Sequence, residues 1–326
     1  DTENNTFTMA GAITCTGNLT ITDGIIDTSG SNHALTVAGG IKNTGTLTAN
    51  ASTIIITGEI AGFAFDQMGT FNAGTSTVQI GDGSTSTVGS STHFKSNNCH
   101  NLIINQHQDA PNGNVLWRAY TGTELTIGGN LTVTRGKFIR NTDTLDLTVT
   151  GDVDVASVGQ LGREEETGSN SFGSLTINSG GTYVATSGTT TITNETSGGF
   201  AIDHDGTFTH NKGKVNITTA NTSIDIAGTG NLYDLEINGF VKLVSGNYTI
   251  DNNVTIASGH TFTTNNLSTS VTVLGNVNVL GTFWRTDNSG TVTLGGLTIN
   301  SGGTYNATNG TTIMKGALRN LGGTIS

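Results

Sequence analysis

The sequence is poor in charge, in proline and in cysteine. Charged residues make up 11% of its 326 residues, less than half of the roughly 25% usual in soluble domains. It has a single proline, and its only cysteines, Cys15 and Cys99, are too few for a disulfide framework. Strong helix formers are scarce, and no apolar run approaches the roughly 18 residues of a membrane-spanning helix. These absences exclude a helix bundle, a coiled coil, a Rossmann-type or TIM-type fold and membrane insertion through a helix.

Threonine, glycine and asparagine are abundant instead. The chain contains 61 Thr, 47 Gly and 35 Asn. Because Thr favours strands while Gly and Asn favour turns, this composition indicates an all-β protein. The net charge of −11 comes with no basic patch in the sequence that could meet phosphates, so we expect no nucleic-acid partner.

The sequence repeats itself on a long period. The segment Leu175–Tyr183 recurs unchanged as Leu297–Tyr305, a shift of 122 positions. Shorter matches elsewhere keep similar offsets. We therefore predict one elongated solenoid over residues 1–326, built of nearly three long repeats at about 1–112, 113–235 and 236–326.

A shorter period of about 21–22 residues lies inside the long one. Val254, Val277, Leu297 and Leu318 follow one another at spacings of 23, 20 and 21 positions. Each marks a short segment in which apolar residues alternate with Thr or Asn. This alternation indicates a strand with one buried face and one solvent-exposed face. Gly and Asn separate these segments and allow sharp corners.

Three short strands and three corners in 21–22 residues are typical of one coil of a parallel β-solenoid, or β-helix. The chain length then predicts about 15 coils. We favour a right-handed solenoid, because crossovers between parallel strands are nearly always right-handed, with a left-handed one as the alternative. The chain shows no signal peptide and stays repeat-like to its last residues. This fits a piece of a longer rod, or a rod whose ends a partner or another copy covers.

Residues 93–120 do not follow the period of 21–22 residues, and we predict an irregular lateral insertion there. Insertions on repetitive folds often carry function. Trp117, Arg118 and Tyr120 are the candidate contacts for a partner or a host glycan; the alternative is a loop that buries Trp117 against the solenoid.

The same stretch contains Cys99, His100 and His107, whose residue types suit zinc. Their spacing matches no known ligand pattern and a fourth ligand is not evident. We therefore expect no metal site, and the absence of phosphate-binding or dinucleotide motifs predicts no cofactor.

Carboxylates are the candidate catalytic groups, because polysaccharide-cleaving enzymes use a close acidic pair. Asp203 and Asp205 share one side of a predicted strand, but such pairs are common near turns. The cluster Arg163–Glu166 is interpreted as a solvated corner. The sequence therefore predicts no catalytic residue and a non-enzymatic protein.

The segments Gly173–Tyr183 and Gly206–Asn211 resemble repeats of long Thr-, Gly- and Asn-rich proteins. Those proteins are encoded by marine phages or found on bacterial surfaces, and are taken to be β-solenoid fibres or adhesins. The resemblance implies an extracellular protein at a virion or cell surface, and it brings no functional residues with it.

The leading functional hypothesis is a non-enzymatic structural rod, similar to a phage virion fibre or appendage, that presents a binding or assembly point. Its expected partners are other copies of itself, other virion or cell-surface proteins and a host surface glycan. The alternatives are a bacterial cell-surface adhesin, a polysaccharide-degrading tailspike-like enzyme and, least favoured, an ice-binding protein with a flat array of outward Thr.

Overall fold

A computed structural model describes residues 5–84, 91–106, 114–118, 122–245, 247–264, 270–285, 290–307 and 310–326. All regular secondary structure in these residues is β-strand, and none of them forms a helix. Accordingly, no helix in the described part of the chain is long and apolar enough to cross a membrane. The chain divides into two compact units, Asp1–Gly168 and Ser169–Ser326.

The described residues of the first unit form eighteen strands. They are β1 (Thr6–Thr8), β2 (Ile13–Cys15), β3 (Leu19–Ile21), β4 (Ile25–Asp27), β5 (Leu35–Val37), β6 (Ile41–Asn43), β7 (Thr46–Thr48), β8 (Thr53–Ile56), β9 (Phe63–Gln67), β10 (Thr70–Asn72), β11 (Thr77–Ile80), β12 (Ser91–Lys95), β13 (Asn98–Cys99), β14 (Asn101–Asn105), β15 (Asn114–Arg118), β16 (Glu124–Ile127), β17 (Leu131–Arg140) and β18 (Asp146–Leu161).

Nineteen further strands are formed by the part of the second unit that the structure describes. They are β19 (Asn170–Ile177), β20 (Thr182–Val184), β21 (Thr189–Ile192), β22 (Phe200–His204), β23 (Thr207–Thr209), β24 (Lys214–Ile217), β25 (Thr222–Ile226), β26 (Asp234–Ile237), β27 (Phe240–Ser245), β28 (Tyr248–Ile250), β29 (Val254–Ile256), β30 (Thr261–Thr263), β31 (Val271–Val279), β32 (Thr282–Arg285), β33 (Thr291–Asn300), β34 (Thr304–Ala307), β35 (Thr311–Met314), β36 (Leu318–Leu321) and β37 (Thr324–Ile325).

Most of the strands in the described residues pair in parallel with a strand one coil before and a strand one coil after. In the first unit β5 pairs with β2 and β8, and β6 pairs with β3 and β9. In the second unit β29 pairs with β26 and β31, and β32 pairs with β30 and β34. The parallel β-solenoid predicted from the sequence is therefore confirmed.

The number of coils is lower than predicted. The strands form about 13 turns rather than about 15, because several coils exceed 21–22 residues. Leu35 pairs with Ile54, only 19 positions on, whereas Leu102 pairs with Leu131, 29 positions on. Leu102 and Leu131 stay paired, although the register between β14 and β17 shifts after Ile104.

Alternation along each strand separates a buried face from an outer face. Val254, Val277 and Leu297 form one inward column through β29, β31 and β33, and all three are buried. Thr255 and Asn278 lie between inward residues and are partly exposed. Fully burying such an aliphatic side chain stabilises the fold by about 1.5–3 kcal/mol. No single coil can bury this column alone, so each coil depends on its neighbours.

A second inward column in the same unit is aromatic. The ring centroids of Phe262 and Phe283 are 5.4 Å apart, and those of Phe283 and Tyr305 are also 5.4 Å apart. These spacings lie within the range in which aromatic pairs stabilise each other beyond the area they bury.

The stretch predicted as a lateral insertion contributes strands to the solenoid. Its described residues include β13, β14 and most of β12 and β15, and β12 pairs in parallel with β9 and β15. Residues 107–113 and 119–120 of this stretch lie outside the described residues.

Candidate functional site

Trp117 belongs to the core of the first unit. Along β15 it alternates in phase with the buried Val115, and it stacks in register on Phe94 of β12. Its side chain is only 1% exposed, and the indole Nε1 donates a hydrogen bond to the Ser96 carbonyl at 2.9 Å. The prediction placed Trp117 in a contact patch, but its ring is not presented to a partner.

Arg118 points to the outer face of the same strand and is exposed. Its guanidinium carbon lies 5.7 Å from the centroid of the Phe63 ring, and the rings of Phe63 and His93 are 5.1 Å apart. We call Phe63, His93 and Arg118 the outer patch. Tyr120, the third residue predicted for this contact, lies outside the described residues.

The outer patch borders a column of charged side chains. Register pairs Lys42 with Asp66, Asp66 with Lys95, and Lys95 with Arg118, one coil at a time. Lys95 Nζ and Asp66 Oδ1 form an ion pair at 3.1 Å. Three cations and one carboxylate thus share a column on an otherwise acidic protein.

Sequence reasoning missed Phe63 and His93. Phe63 is two residues before the inward Phe65, and strict alternation would put both rings on one side. The pairing with β12 skips a position, since His93 pairs with Phe63 and Phe94 pairs with Phe65. This β-bulge leaves Phe63 partly exposed while Phe65 is buried. The one signal in the sequence was Gly62, which immediately precedes β9. Its φ of +84° allows a sharp change of chain direction there.

At one corner of the coils, asparagine and aspartate side chains connect successive turns. Asn101 Oδ1 accepts the backbone N–H of Asn130, and Asn130 Oδ1 accepts the N–H of Asp152, both at 2.9 Å. In the second unit Asp234 and Asn253 repeat the pattern, each accepting from the corner one coil later at 2.9 Å. We call this arrangement the corner ladder.

Outer side chains of the strands also hydrogen-bond between coils. Asn238 Nδ2 donates to Asn216 Oδ1 at 2.8 Å, and Lys214 pairs with Glu236 at 2.6 Å. Hydrogen bonds from Lys214 and then from Asn238 lower the pKa of Glu236. Many polar groups of the outer face are thus used to hold neighbouring coils together.

Three carboxylates meet on the outer face of the second unit. Asp203 of β22 pairs in register with Asp225 of β25, and Asp205 follows two residues later. Burial, followed by the charges of Asp205 and Asp225, raises the pKa of Asp203. His204 between them points inward and is buried, and its ring donates to the Thr229 carbonyl. Burial lowers the pKa of His204, which favours a neutral ring.

The cluster Arg163–Glu166 is only partly the solvated corner that the sequence predicted. Glu164 and Glu165 are exposed, and Arg163 pairs with Asp143. Glu166, however, is fully buried and forms an ion pair with the buried Arg140, whose backbone N–H it also accepts at 2.8 Å. The physical reason is that Arg140 pairs in register with the buried Trp117 and is itself buried. Its charge therefore needs a carboxylate partner inside the core.

The residues considered for a metal site do not converge on one. Cys99 is buried, and burial raises the pKa of its thiol, which disfavours the thiolate that binds zinc. His107 lies outside the described residues. Within the described ranges no group of three or more His, Cys, Asp or Glu side chains is arranged to hold a metal ion.

Comparisons of the chain with protein-family models, with curated proteins and with solved structures gave no match. The outer patch, the corner ladder and the acidic group on β22 and β25 are therefore interpreted from their own geometry.

Proposed function

We propose that the chain is a non-enzymatic structural component of an extracellular fibre or appendage, of the kind carried by phage virions, and that it presents a binding or assembly point. The observation that carries this proposal is the corner ladder. Its asparagine and aspartate side chains accept hydrogen bonds from the next coil, so they serve cohesion between coils.

The use of the outer face supports the same proposal. A fibre must resist unfolding while exposed to water, and inter-coil hydrogen bonds together with inward columns supply that resistance at every turn. Side chains such as Asn238 and Lys214 are engaged in these contacts. In the outer patch, Arg118 makes no hydrogen bond or ion pair with the described residues, so it offers a point at which a partner could bind.

Immunogold electron microscopy tests the proposed location. An antibody raised against the purified chain is applied to intact phage particles and to whole bacterial cells of the source. Labelling of a virion appendage supports the proposal, and labelling of the cell surface supports the adhesin alternative. Label confined to the cell interior contradicts both. Antibody pre-absorbed with the purified chain is the control.

The acidic group of the second unit favours a second candidate, a polysaccharide-degrading enzyme. Glycoside hydrolysis uses two carboxyl groups, one of which has a raised pKa, and Asp203 shows such a shift beside Asp225. Release of reducing sugar from host polysaccharide, lost in Asp203→Asn and retained in Asp146→Asn, would establish this activity. No release by the unaltered chain would exclude it for that substrate and favour the structural role.

A further inference from the structure

We propose that the outer patch of Phe63, His93 and Arg118 binds the carboxylate-bearing sugar of an anionic polysaccharide. The inference rests on the proposed function, since it names the ligand of the binding point. Its first support is the set of N–H donors on the Arg118 guanidinium. Arg135, Arg140 and Arg163 of the same unit direct theirs to a carbonyl or to carboxylates of the protein.

Arg118 differs from these arginines. Its guanidinium makes no hydrogen bond or ion pair with the described residues, and its contact is with the face of the Phe63 ring. A guanidinium resting on an aromatic ring keeps its N–H groups available at its edge. Two of these donors match the two oxygens of a carboxylate, which is the geometry of bidentate recognition. Arg118 therefore carries donors of the kind that a carboxylate accepts, and none of them is used by the described residues.

His93, whose ring centroid lies 5.1 Å from that of Phe63, adds an acceptor to the outer patch. Its Nδ1 lies 3.0 Å from the Gly62 carbonyl oxygen, which can only accept, so Nδ1 carries the proton. In the neutral ring Nε2 is then an acceptor, and it has no hydrogen bond with the described residues. A hydroxyl group can donate to it. A uronate offers a carboxylate and hydroxyl donors on one ring, whereas a glutamate side chain offers the carboxylate alone.

The neighbouring column supplies attraction for a chain of such sugars. Lys95 lies one coil from Arg118, and Lys42 lies two coils beyond Lys95 in the same column. Paired strands are about 4.7–4.9 Å apart, so positive groups recur along the direction in which coils stack. Asp66 is already paired with Lys95. A linear polyanion lying across the coils would meet Arg118 and Lys95 on adjacent coils and Lys42 beyond Asp66.

The test measures binding of oligogalacturonate to the full chain by isothermal titration calorimetry. Arg118→Gln removes the guanidinium group. Lys212→Gln in the second unit is the control, because it removes one exposed positive charge and leaves the outer patch intact. We expect Arg118→Gln to weaken binding about tenfold or more, since it deletes a bidentate charge-assisted contact, and Lys212→Gln to leave binding unchanged. Circular dichroism verifies that both variants fold.

Arg118→Lys keeps the charge but loses the planar fork, so we expect it to bind more weakly than the unaltered chain. Equal weakening by Arg118→Gln and Lys212→Gln would overturn the proposal in favour of a net-charge effect. Equal binding of a neutral galactan oligosaccharide, or of oligoglutamate with the same dependence on Arg118, would overturn the assignment to an acidic sugar. Absence of oligogalacturonate binding would overturn the inference alone, because the immunogold result decides the proposed function separately.

Discussion

At the corners of the coils, an asparagine side chain of one coil lies close to a glycine of the next coil. Asn101 Oδ1 accepts the N–H of Asn130, and the same oxygen lies only 2.2 Å from where a Cβ on Gly129 would be. The same holds one coil later, where a Cβ on Gly151 would be 2.1 Å from Asn130 Oδ1. Glycine before Asn130 and before Asp152 is therefore favoured by the asparagine side chain of the coil below, together with backbone atoms at 3.0 Å (His100 O) and 2.7 Å (Gly129 O), even though neither glycine adopts a positive φ.

This dependence predicts non-additive mutations. Gly129→Ala should destabilise the first unit by about 1–3 kcal/mol, because the added methyl group overlaps Asn101 Oδ1. In the Asn101→Ala background that oxygen is gone, so the same change should cost clearly less. Chemical denaturation of the two single variants and the double variant measures this coupling.

The chain offers a matched control for that cycle. A Cβ on Gly17 would meet nothing within 4 Å, so Gly17→Ala should change stability by no more than about 0.5 kcal/mol. An equal loss for Gly129→Ala with and without the Asn101 side chain would contradict the corner ladder as described.

The two tryptophans give a second prediction for single residues. Trp117 is 1% exposed and Trp284 is 40% exposed. Trp284→Phe, which leaves Trp117, should give blue-shifted emission that acrylamide quenches weakly. Trp117→Phe, which leaves Trp284, should give red-shifted and readily quenched emission. Similar quenching of the two variants would show that Trp117 is accessible to partners after all.

At the level of strands, alternation of apolar and polar residues decides which side chain is structural. Val277 is buried in an inward column between Val254 and Leu297, while Thr255 faces outward one coil away. Val277→Ala should therefore destabilise the second unit by about 1–3 kcal/mol, and Thr255→Ala by no more than about 0.5 kcal/mol. Thermal unfolding followed by circular dichroism compares them, and equal losses would contradict the inward and outward assignment.

The sequence predicted the regular strands well because period-two patterns such as Val254 to Ile256 map directly onto buried and wet faces. The sequence pattern did not predict the β-bulges. Phe63 and Phe200 each follow a positive-φ glycine, and in both strands the pairing register shifts across the next alanine. A single inserted position reverses the side of every preceding residue, and composition alone does not reveal it. This is why Phe63 was not among the predicted contacts.

The site was predictable only in part for a related reason. Arg118 was found because it lies in an irregular stretch of sequence, but Trp117 was assigned to the same patch although it shares the phase of the buried Val115. Burial of Glu166 depends on Arg140, 26 residues earlier. Such partners meet only after the coils stack, so local sequence could not identify them.

At the level of each whole unit, the solenoid predicts that damage stays local. A coil contacts mainly its immediate neighbours, so stability is close to a sum over coils and their interfaces. In hydrogen exchange measured by mass spectrometry, Val277→Ala should reduce protection most in β29, β31 and β33, and less in β22 and β25. Uniform loss of protection through the second unit would indicate all-or-none unfolding instead.

The unequal coil lengths described above have a consequence for how the fold can change. Leu35 and Ile54 are 19 positions apart, whereas Leu102 and Leu131 are 29 apart, yet both pairs are in register. The register of these paired positions therefore tolerates a difference of ten residues in coil length. We therefore expect this fold to accept changes in coil length while the paired inward positions of neighbouring coils keep their partners.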